Sequence, residues 1–346
     1  KNSGVSMDFS EITSSKHETD QITYGIDVAK WQGIIDWKKV KESNVEFAMI
    51  RLGYRTLDKG IIQEDPYAEY NLQEAIANGI KVGAYFFSTA INEKEAEEEA
   101  KWVTDFIAPY PITYPVAYNC EGFTNPSNRQ YNLSKEERTN LAISFLDYVK
   151  SKGYTPMFYA AKSELEGNLE WNTSILDSKY RIWVAQYPGK FTSSSKSSYS
   201  GEHHMWQYTS NGEVSGINKP VDLNVAYFGF SQEAEAKDST PRESVKPDPT
   251  ALIDFQEVDE TVTAKEVTNL RNLPTTDNTE IVAELRNGQT AKRIGIGSNG
   301  WSKLIYNGET VYARSDFITT NLDYQIHKAD IINGQYFKDV NEQVTA

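Results

Sequence analysis

A chain of 346 residues with 35 basic and 49 acidic side chains, a formal net charge of −14, offers no basic patch to neutralise phosphates, so no nucleic-acid partner is expected. With 39% hydrophobic and 12% aromatic residues, including 21 tyrosines and 7 tryptophans, it can fill a large core and still present rings to a ligand. One cysteine, Cys120, and 4 histidines provide neither a disulfide framework nor a Cys/His metal motif, and no apolar run has the length of a transmembrane segment.

Residues 1–21 are polar and read as a flexible lead-in with no signal-peptide hydrophobic stretch. Residues 22–228 form one block in which strand-like and helix-like stretches alternate. Strands are expected at 22–28, 47–52, 80–87, 113–121, 155–160, 180–186, 204–208 and 221–226. Helices are expected over Pro66–Ala77, Ile91–Ile107 and Ser134–Lys150, the last opened by a Ser-Lys-Glu-Glu capping box. Repeated strand, helix, strand argues for parallel strands with right-handed crossovers. The last strands follow too closely for full helices between them. The fold class is therefore α/β, an irregular (β/α) barrel with helices mainly in its first half.

Residues 229–254 hold prolines and few large apolar groups and read as a linker. From 255 to 322 the pattern changes to short strands separated by Asn287-Gly288, Asn299-Gly300 and Asn307-Gly308 turns, which predicts a small all-β barrel. The motif Phe255-Gln-Glu-Val-Asp-Glu-Thr-Val-Thr-Ala264 recurs as Phe337-Lys-Asp-Val-Asn-Glu-Gln-Val-Thr-Ala346. Residues 323–346 therefore read as a linker and the start of a truncated second repeat.

Acids at strand ends are the candidates for chemistry. Asp27 closes the first strand, Asn119 and Glu121 end the fourth, and Asp222 opens the last. Strand alternation sends Asn119 and Glu121 one way and Cys120 the other, behind the barrel wall. Strand C-termini of a parallel barrel share one rim, which Asp222 reaches only if its strand runs antiparallel. Singly, each of these acids reads equally well as a turn or cap residue. Together with Trp31, Tyr85, Tyr118, Tyr159, Trp183, Gln186, Trp206 and Gln207 they describe a cleft with acids at its base and rings on its walls, suited to a carbohydrate. His203 and His204 are adjacent and make a poor chelating pair. The acidic run 92–99 reads as a solvated helix face, and the glycines form no phosphate-binding loop.

The motifs Tyr24-Gly-Ile-Asp-Val-Ala-Lys-Trp-Gln-Gly33, Phe47-Ala-Met-Ile-Arg-Leu-Gly-Tyr54, Gly79-Ile-Lys-Val-Gly-Ala-Tyr-Phe-Phe87, Pro115-Val-Ala-Tyr-Asn-Cys-Glu-Gly122, Ile182-Trp-Val-Ala-Gln186 and Trp206-Gln-Tyr208 together resemble glycoside hydrolase family 25, the lysozymes or N-acetylmuramidases. The resemblance covers 22–228. Residues 262–318, with Thr268-Asn-Leu-Arg-Asn-Leu-Pro274 and Gly300-Trp-Ser-Lys-Leu304, resemble a bacterial Src-homology-3-like cell-wall-binding domain. The combination is similar to a phage endolysin or a secreted, wall-associated hydrolase. It implies action on bacterial peptidoglycan without a metal or organic cofactor, cutting the β-1,4 bond between N-acetylmuramic acid and N-acetylglucosamine; separately, a monomer is expected. Carried over by motif, Glu121 matches the general acid and base, and Asp27 and Asp222 match two further acids at the cleft floor. Asn119 falls where the family has an aspartate that supports the substrate's own acetamido group during attack.

An amide at Asn119 is nearly isosteric with that aspartate but carries no charge to offset a developing oxazolinium. Natural or introduced, it predicts a weakly active or inactive chain. Two other readings stand beside this one: a non-catalytic glycan-binding protein that kept the cleft, and an unrelated α/β-barrel hydrolase of chitin-like polymers.

Overall fold

The computed structural model describes residues 17–277 and 279–324, together with the backbone of 330–332 and 335–337. The lead-in before His17 and the repeated motif beyond Phe337 lie outside the described residues. The chain divides into two compact units, Lys1–Asp248 and Pro249–Ala346.

In the first unit, eight strands close into a barrel: β1 (Thr23–Val28), β2 (Phe47–Arg55), β3 (Lys81–Phe87), β4 (Ile112–Asn119), β5 (Pro156–Ala161), β6 (Arg181–Ala185), β7 (Met205–Gly212) and β8 (Val221–Ala226). Strands β1 to β7 run parallel, each beside the next. Strand β8 runs antiparallel to both β7 and β1 and closes the ring. Helices are fewer than a regular alternation would supply: α1 (Trp37–Glu42), α2 (Ala68–Ala77), α3 (Glu93–Ile107), α4 (Lys135–Ser151) and α5 (Thr173–Lys179). The barrel is closed and carries few helices rather than one after every strand. Between β6 and β7 the chain reads Lys190-Phe-Thr-Ser-Ser-Ser-Lys-Ser-Ser-Tyr-Ser200, poor in helix formers, and it makes turns instead.

The starts of α3 and α4 are capped, the second by the expected capping box. Asn92 Oδ1 accepts the Glu95 N–H at 2.9 Å to open α3. At α4, Ser134 Oγ accepts from Glu137 N at 3.1 Å while Glu137 Oε2 accepts from Ser134 N at 2.7 Å. Inside the barrel, Phe47, Met49, Tyr114, Ala117, Met157, Trp183 and Met205 pack together. A larger apolar layer, including Val82, Phe86, Tyr118, Phe145, Phe158 and Trp206, lies between the strands and the helices. Gly83 is a close approach in the interior: a Cβ there would sit 2.5 Å from Met49 Sδ and from the Pro115 carbonyl. The register of β3 against β4 shifts between Val82 and Ala84, at Pro115, which has no N–H to pair. That shift puts Tyr114, Ala117 and Asn119 on the same inner face.

Two segments read as flexible in sequence are tied to this unit. Glu18 grips Arg181 with both carboxylate oxygens at 2.7 and 2.8 Å, and Glu18–Thr19 pairs with Gly229–Phe230. Along the 229–254 stretch, Ala234 N donates to Thr113, Asp238 N donates to the Ala108 carbonyl, and Val245 N donates to Gln73.

The second unit is an antiparallel sheet. Its strands are β9 (Phe255–Ala264), β10 (Val267–Arg271), β11 (Ile281–Arg286), β12 (Thr290–Gly297), β13 (Trp301–Tyr306), β14 (Glu309–Arg314) and β15 (Ile318–Thr319). They pair in the order β11-β10-β14-β13-β12-β9-β15 over a core that includes Val262, Leu270, Leu285 and Leu304. At the β13–β14 turn, Asn307 and Gly308 take φ of 50° and 81°, the paired left-handed conformation of a tight hairpin.

Candidate active site

Because β8 is antiparallel, its first residues reach the rim where β1 and β4 end. Asp222 and Asp27 are register partners there. A cavity of about 90 Å³ opens at this rim, lined by Asp27, Asn119, Glu121 and Asp222 and walled by Tyr85, Tyr159, Trp183 and Gln207. Seven strands or their ends supply these eight side chains.

Asp27 is buried, and its Oδ2 accepts from Gln207 Nε2 and from Asn224 Nδ2, each at 2.8 Å. Both amides are themselves oriented. Trp183 Nε1 donates to Asn224 Oδ1 at 2.8 Å, and the Tyr159 and Tyr187 hydroxyls donate to Gln207 Oε1 at 2.8 and 2.7 Å. Burial, followed by the charge of Asp222, holds the Asp27 carboxyl well above the usual range, against the pull of the two amides. Asp222 is also raised by burial, opposed by its hydrogen bond with Asp27. The two carboxyls are thus coupled, and each is raised by burial.

Glu121 stands at the solvent side of the cavity, and its carboxyl is pushed up by the surrounding protein. The Asn119 side chain hydrogen-bonds to it and opposes that push, while the charge of Asp27 adds to it. Trp183 meets Tyr159 edge to face at 4.7 Å and Tyr85 at 6.1 Å, so the wall is a rigid aromatic corner. A carboxyl at the mouth, two coupled carboxyls on the floor and ring faces beside them suit acid catalysis on a sugar.

Four expected site residues lie elsewhere. Tyr118 points out of the barrel and packs on Phe145 and Phe158 at 5.1 and 6.2 Å, because it alternates with Asn119. Trp206 alternates with Gln207 in the same way; it packs on Phe191 and donates to the Gln186 carbonyl at 2.7 Å. The Gln186 side chain accepts from Ser198 N at 3.1 Å, also outside the cavity. Trp31 is 62% exposed and lines a neighbouring groove rather than the acid cavity. Cys120 is buried behind the wall, where its thiol donates to Gln130 Oε1 at 3.2 Å and burial pushes it up to about 12. The acidic run is not simply solvated: Glu99 is fully buried against Arg55 at 2.8 Å.

Sequence reading missed Asn224 and Tyr187. Alternation from Asp222 would have placed Asn224 on the inner face, whereas Tyr187 follows β6 in a loop and carried no signal.

The Glycosyl hydrolases family 25 profile matches residues 26–217, which takes in Asp27, Asn119 and Glu121. The chain belongs to this family. The YegX protein of Escherichia coli K12 is 27% identical over 217 residues, spanning 62% of this chain and 72% of its own. The autolytic lysozyme of Clostridium acetobutylicum is 26% identical over 200 residues, 58% of this chain and 54% of its own. Among solved structures, the modular autolysin LytC of Streptococcus pneumoniae, in complex with a synthetic peptidoglycan ligand, is 28% identical with a TM-score of 0.48. That match covers 60% of this chain and 47% of the autolysin, so the chain spans about half the length of that relative. The bacterial lysozyme of Streptomyces coelicolor is 24% identical, covering 63% of this chain and 98% of its own, also with a TM-score of 0.48.

Proposed function

We propose that this family 25 chain is a peptidoglycan hydrolase cleaving the β-1,4 bond between N-acetylmuramic acid and N-acetylglucosamine. The observation that carries the reading is the placement of Glu121 at the mouth of a cavity whose floor is the Asp27–Asp222 pair, with burial pushing its carboxyl upward. Glu121 protonates the leaving oxygen and then, as carboxylate, takes a proton from the incoming water. The substrate's acetamido oxygen attacks the anomeric carbon in between, so the protein supplies no nucleophile. The pair on the floor holds the sugar and keeps negative charge below the developing cation.

Asn119 limits this machinery. Its amide stabilises the ionised form of Glu121, and it carries no charge to offset the oxazolinium. A missing electrostatic contribution of this kind typically costs about 3 kcal/mol, roughly a hundredfold in rate. The 255–322 unit, by its motifs, serves as a Src-homology-3-like wall-binding module, and the protein works as a secreted, wall-associated monomer. Tethering raises the local substrate concentration.

Reducing-end release from purified peptidoglycan tests the reading, comparing the chain with Asn119→Asp and using Glu121→Gln as a blank. A large gain on restoring the carboxylate supports it. The second reading, a non-catalytic glycan-binding protein, rests on the same Asn119. It wins if Asn119→Asp releases nothing while the wall is still bound. Turnover of chitin oligomers in preference to peptidoglycan would point instead to a hydrolase that ignores the muramic lactyl ether.

A further inference from the structure

Strand β4 ends at Asn119, whose register partners Phe87 and Tyr159 close the pairing on either side. Glu121 therefore stands two residues beyond the paired strand, and the loop that follows must hold it. That loop folds back on itself: Asn125 N donates to the Gly122 carbonyl, Asn128 N to the Asn125 carbonyl and Leu133 N to the Gln130 carbonyl.

Gln130 is fully buried and spends both ends of its amide on neighbouring strand ends. Its Oε1 accepts from Cys120 Sγ at 3.2 Å, and its Nε2 donates to the carbonyl of Ala90, three residues past β3, at 2.8 Å. Asn128, also buried, extends the chain of contacts: its Oδ1 accepts from Gln130 N at 2.9 Å, and its Nδ2 donates to the Glu121 carbonyl at 3.4 Å. On the far side of Glu121, Phe123 is seated 4.0 Å from the Arg138 guanidinium and edge to face with Trp171 at 5.6 Å. Cys120 sits between two residues of the acid cavity, Asn119 and Glu121, with its own side chain in the wall. A bond to that thiol fixes the rotation of the strand end. Apolar packing alone could fill the wall, but it lacks direction, whereas hydrogen bonds weaken steeply off their preferred angle.

We infer that Gln130, with Asn128 relaying to the Glu121 carbonyl, is a positioning residue that aims the Glu121 carboxyl into the cavity mouth. The inference rests on the hydrolase reading above and adds a residue that touches neither sugar nor reacting atoms. Proton transfer needs Glu121 within hydrogen-bond reach of the leaving oxygen, so a misaimed acid loses rate. Affinity is set by the floor and the rings, which Gln130 does not touch.

The test begins in the Asn119→Asp background with soluble peptidoglycan fragments. Gln130→Met nearly keeps the volume and removes both side-chain hydrogen bonds. It should lower kcat about tenfold with KM little changed, after correction for the folded fraction from a melting curve. Cys120→Ala removes the thiol donor and should lower kcat as well, whereas Cys120→Ser keeps a donor and should recover turnover. A second arm needs no turnover: carboxyl-carbon NMR of Glu121 in the chain as written. Burial is the main cause that raises this carboxyl, so Gln130→Met should bring its titration down towards the ordinary carboxylate range. The acids around Glu121, namely Asp27, Asp222 and Glu164, are untouched by the variant. A lower melting temperature with kcat and the Glu121 titration both unmoved overturns the inference and leaves Gln130 a structural residue. Equal losses in Cys120→Ala and Cys120→Ser overturn it too. If Asn119→Asp releases no reducing ends, the hydrolase reading fails, while a lowered Glu121 titration in Gln130→Met still supports the positioning.

Discussion

Asp27 and Asp222 stand opposite each other across the antiparallel pair of β1 and β8, with the Asp27 carboxyl clamped by Gln207 and Asn224. The pair forms only because β8 reverses direction. Removing the charge of one partner must change the other. Asp222→Asn should bring the Asp27 titration down, since the second-largest cause of its elevation is gone. Carboxyl carbon NMR across pH reads this directly, and an unmoved Asp27 would contradict the coupling of the two acids.

On the proposed mechanism Glu121 donates a proton only while protonated, so turnover should decline as pH rises through its elevated pKa. The Asn119 amide favours the ionised form, whereas an aspartate would place a like charge beside it. Asn119→Asp should therefore raise the rate about a hundredfold and move the alkaline limb of the pH–rate profile upward. A gain in rate with that limb shifted downward would show that Asn119 does not act through Glu121.

Arg55 and Glu99 are a buried ion pair at 2.8 Å, with Ser88 Oγ donating to the other carboxylate oxygen at 2.6 Å. Burial still pushes Glu99 up to about 7, against the pull of Ser88 and Arg55. Arg55→Met should destabilise the fold by about 3–5 kcal/mol at pH 8, where Glu99 is left charged and unpaired. At pH 5 the loss should be smaller, because Glu99 can take up a proton. Arg55→Met combined with Glu99→Leu should recover much of it. Denaturant unfolding of the three variants measures the coupling, and additive losses would disprove it.

His204 is partly buried, its Nδ1 accepting the Ile182 N–H at 3.2 Å. Burial, then Arg181 and His203, bring it down from 6.5 to about 4. The unfolded imidazole protonates below about 6.5 while the folded one does not. Its contribution is thus intact above that pH and is lost as pH falls towards 4, up to about 3 kcal/mol. His204→Gln should flatten the acid side of the stability curve between those limits. Urea midpoints at half-unit pH steps decide it; an unchanged slope would rule His204 out.

All eight barrel strands were legible in the sequence because apolar runs bounded by Gly, Pro, Asn and Asp are a local property. So were α2, α3 and α4, the last with its capping box. The short α1 and α5 were not, since six or seven residues give too little periodicity to stand out from a loop. Glu99 shows the limit of reading charge as exposure: within an acidic run it looks solvated, yet Arg55, 44 positions earlier in the chain, draws it inside. Tyr118 and Trp206 show a different error. Both are aromatic neighbours of inner-face residues, and alternation alone sends them outward.

The sequence by itself determined the strands, the main helices and the presence of acids at strand ends, since each follows from residues close together in the chain. Only the tertiary structure decided that Asp222 meets Asp27, that Gln207 and Asn224 clamp one carboxyl, and that Gln130 reaches both Cys120 and Ala90. Direction of pairing, a register shift at Pro115 and closure of the ring are long-range choices. A change of one residue in register exchanges the inner and outer faces of a strand, and no local pattern records which choice the chain makes.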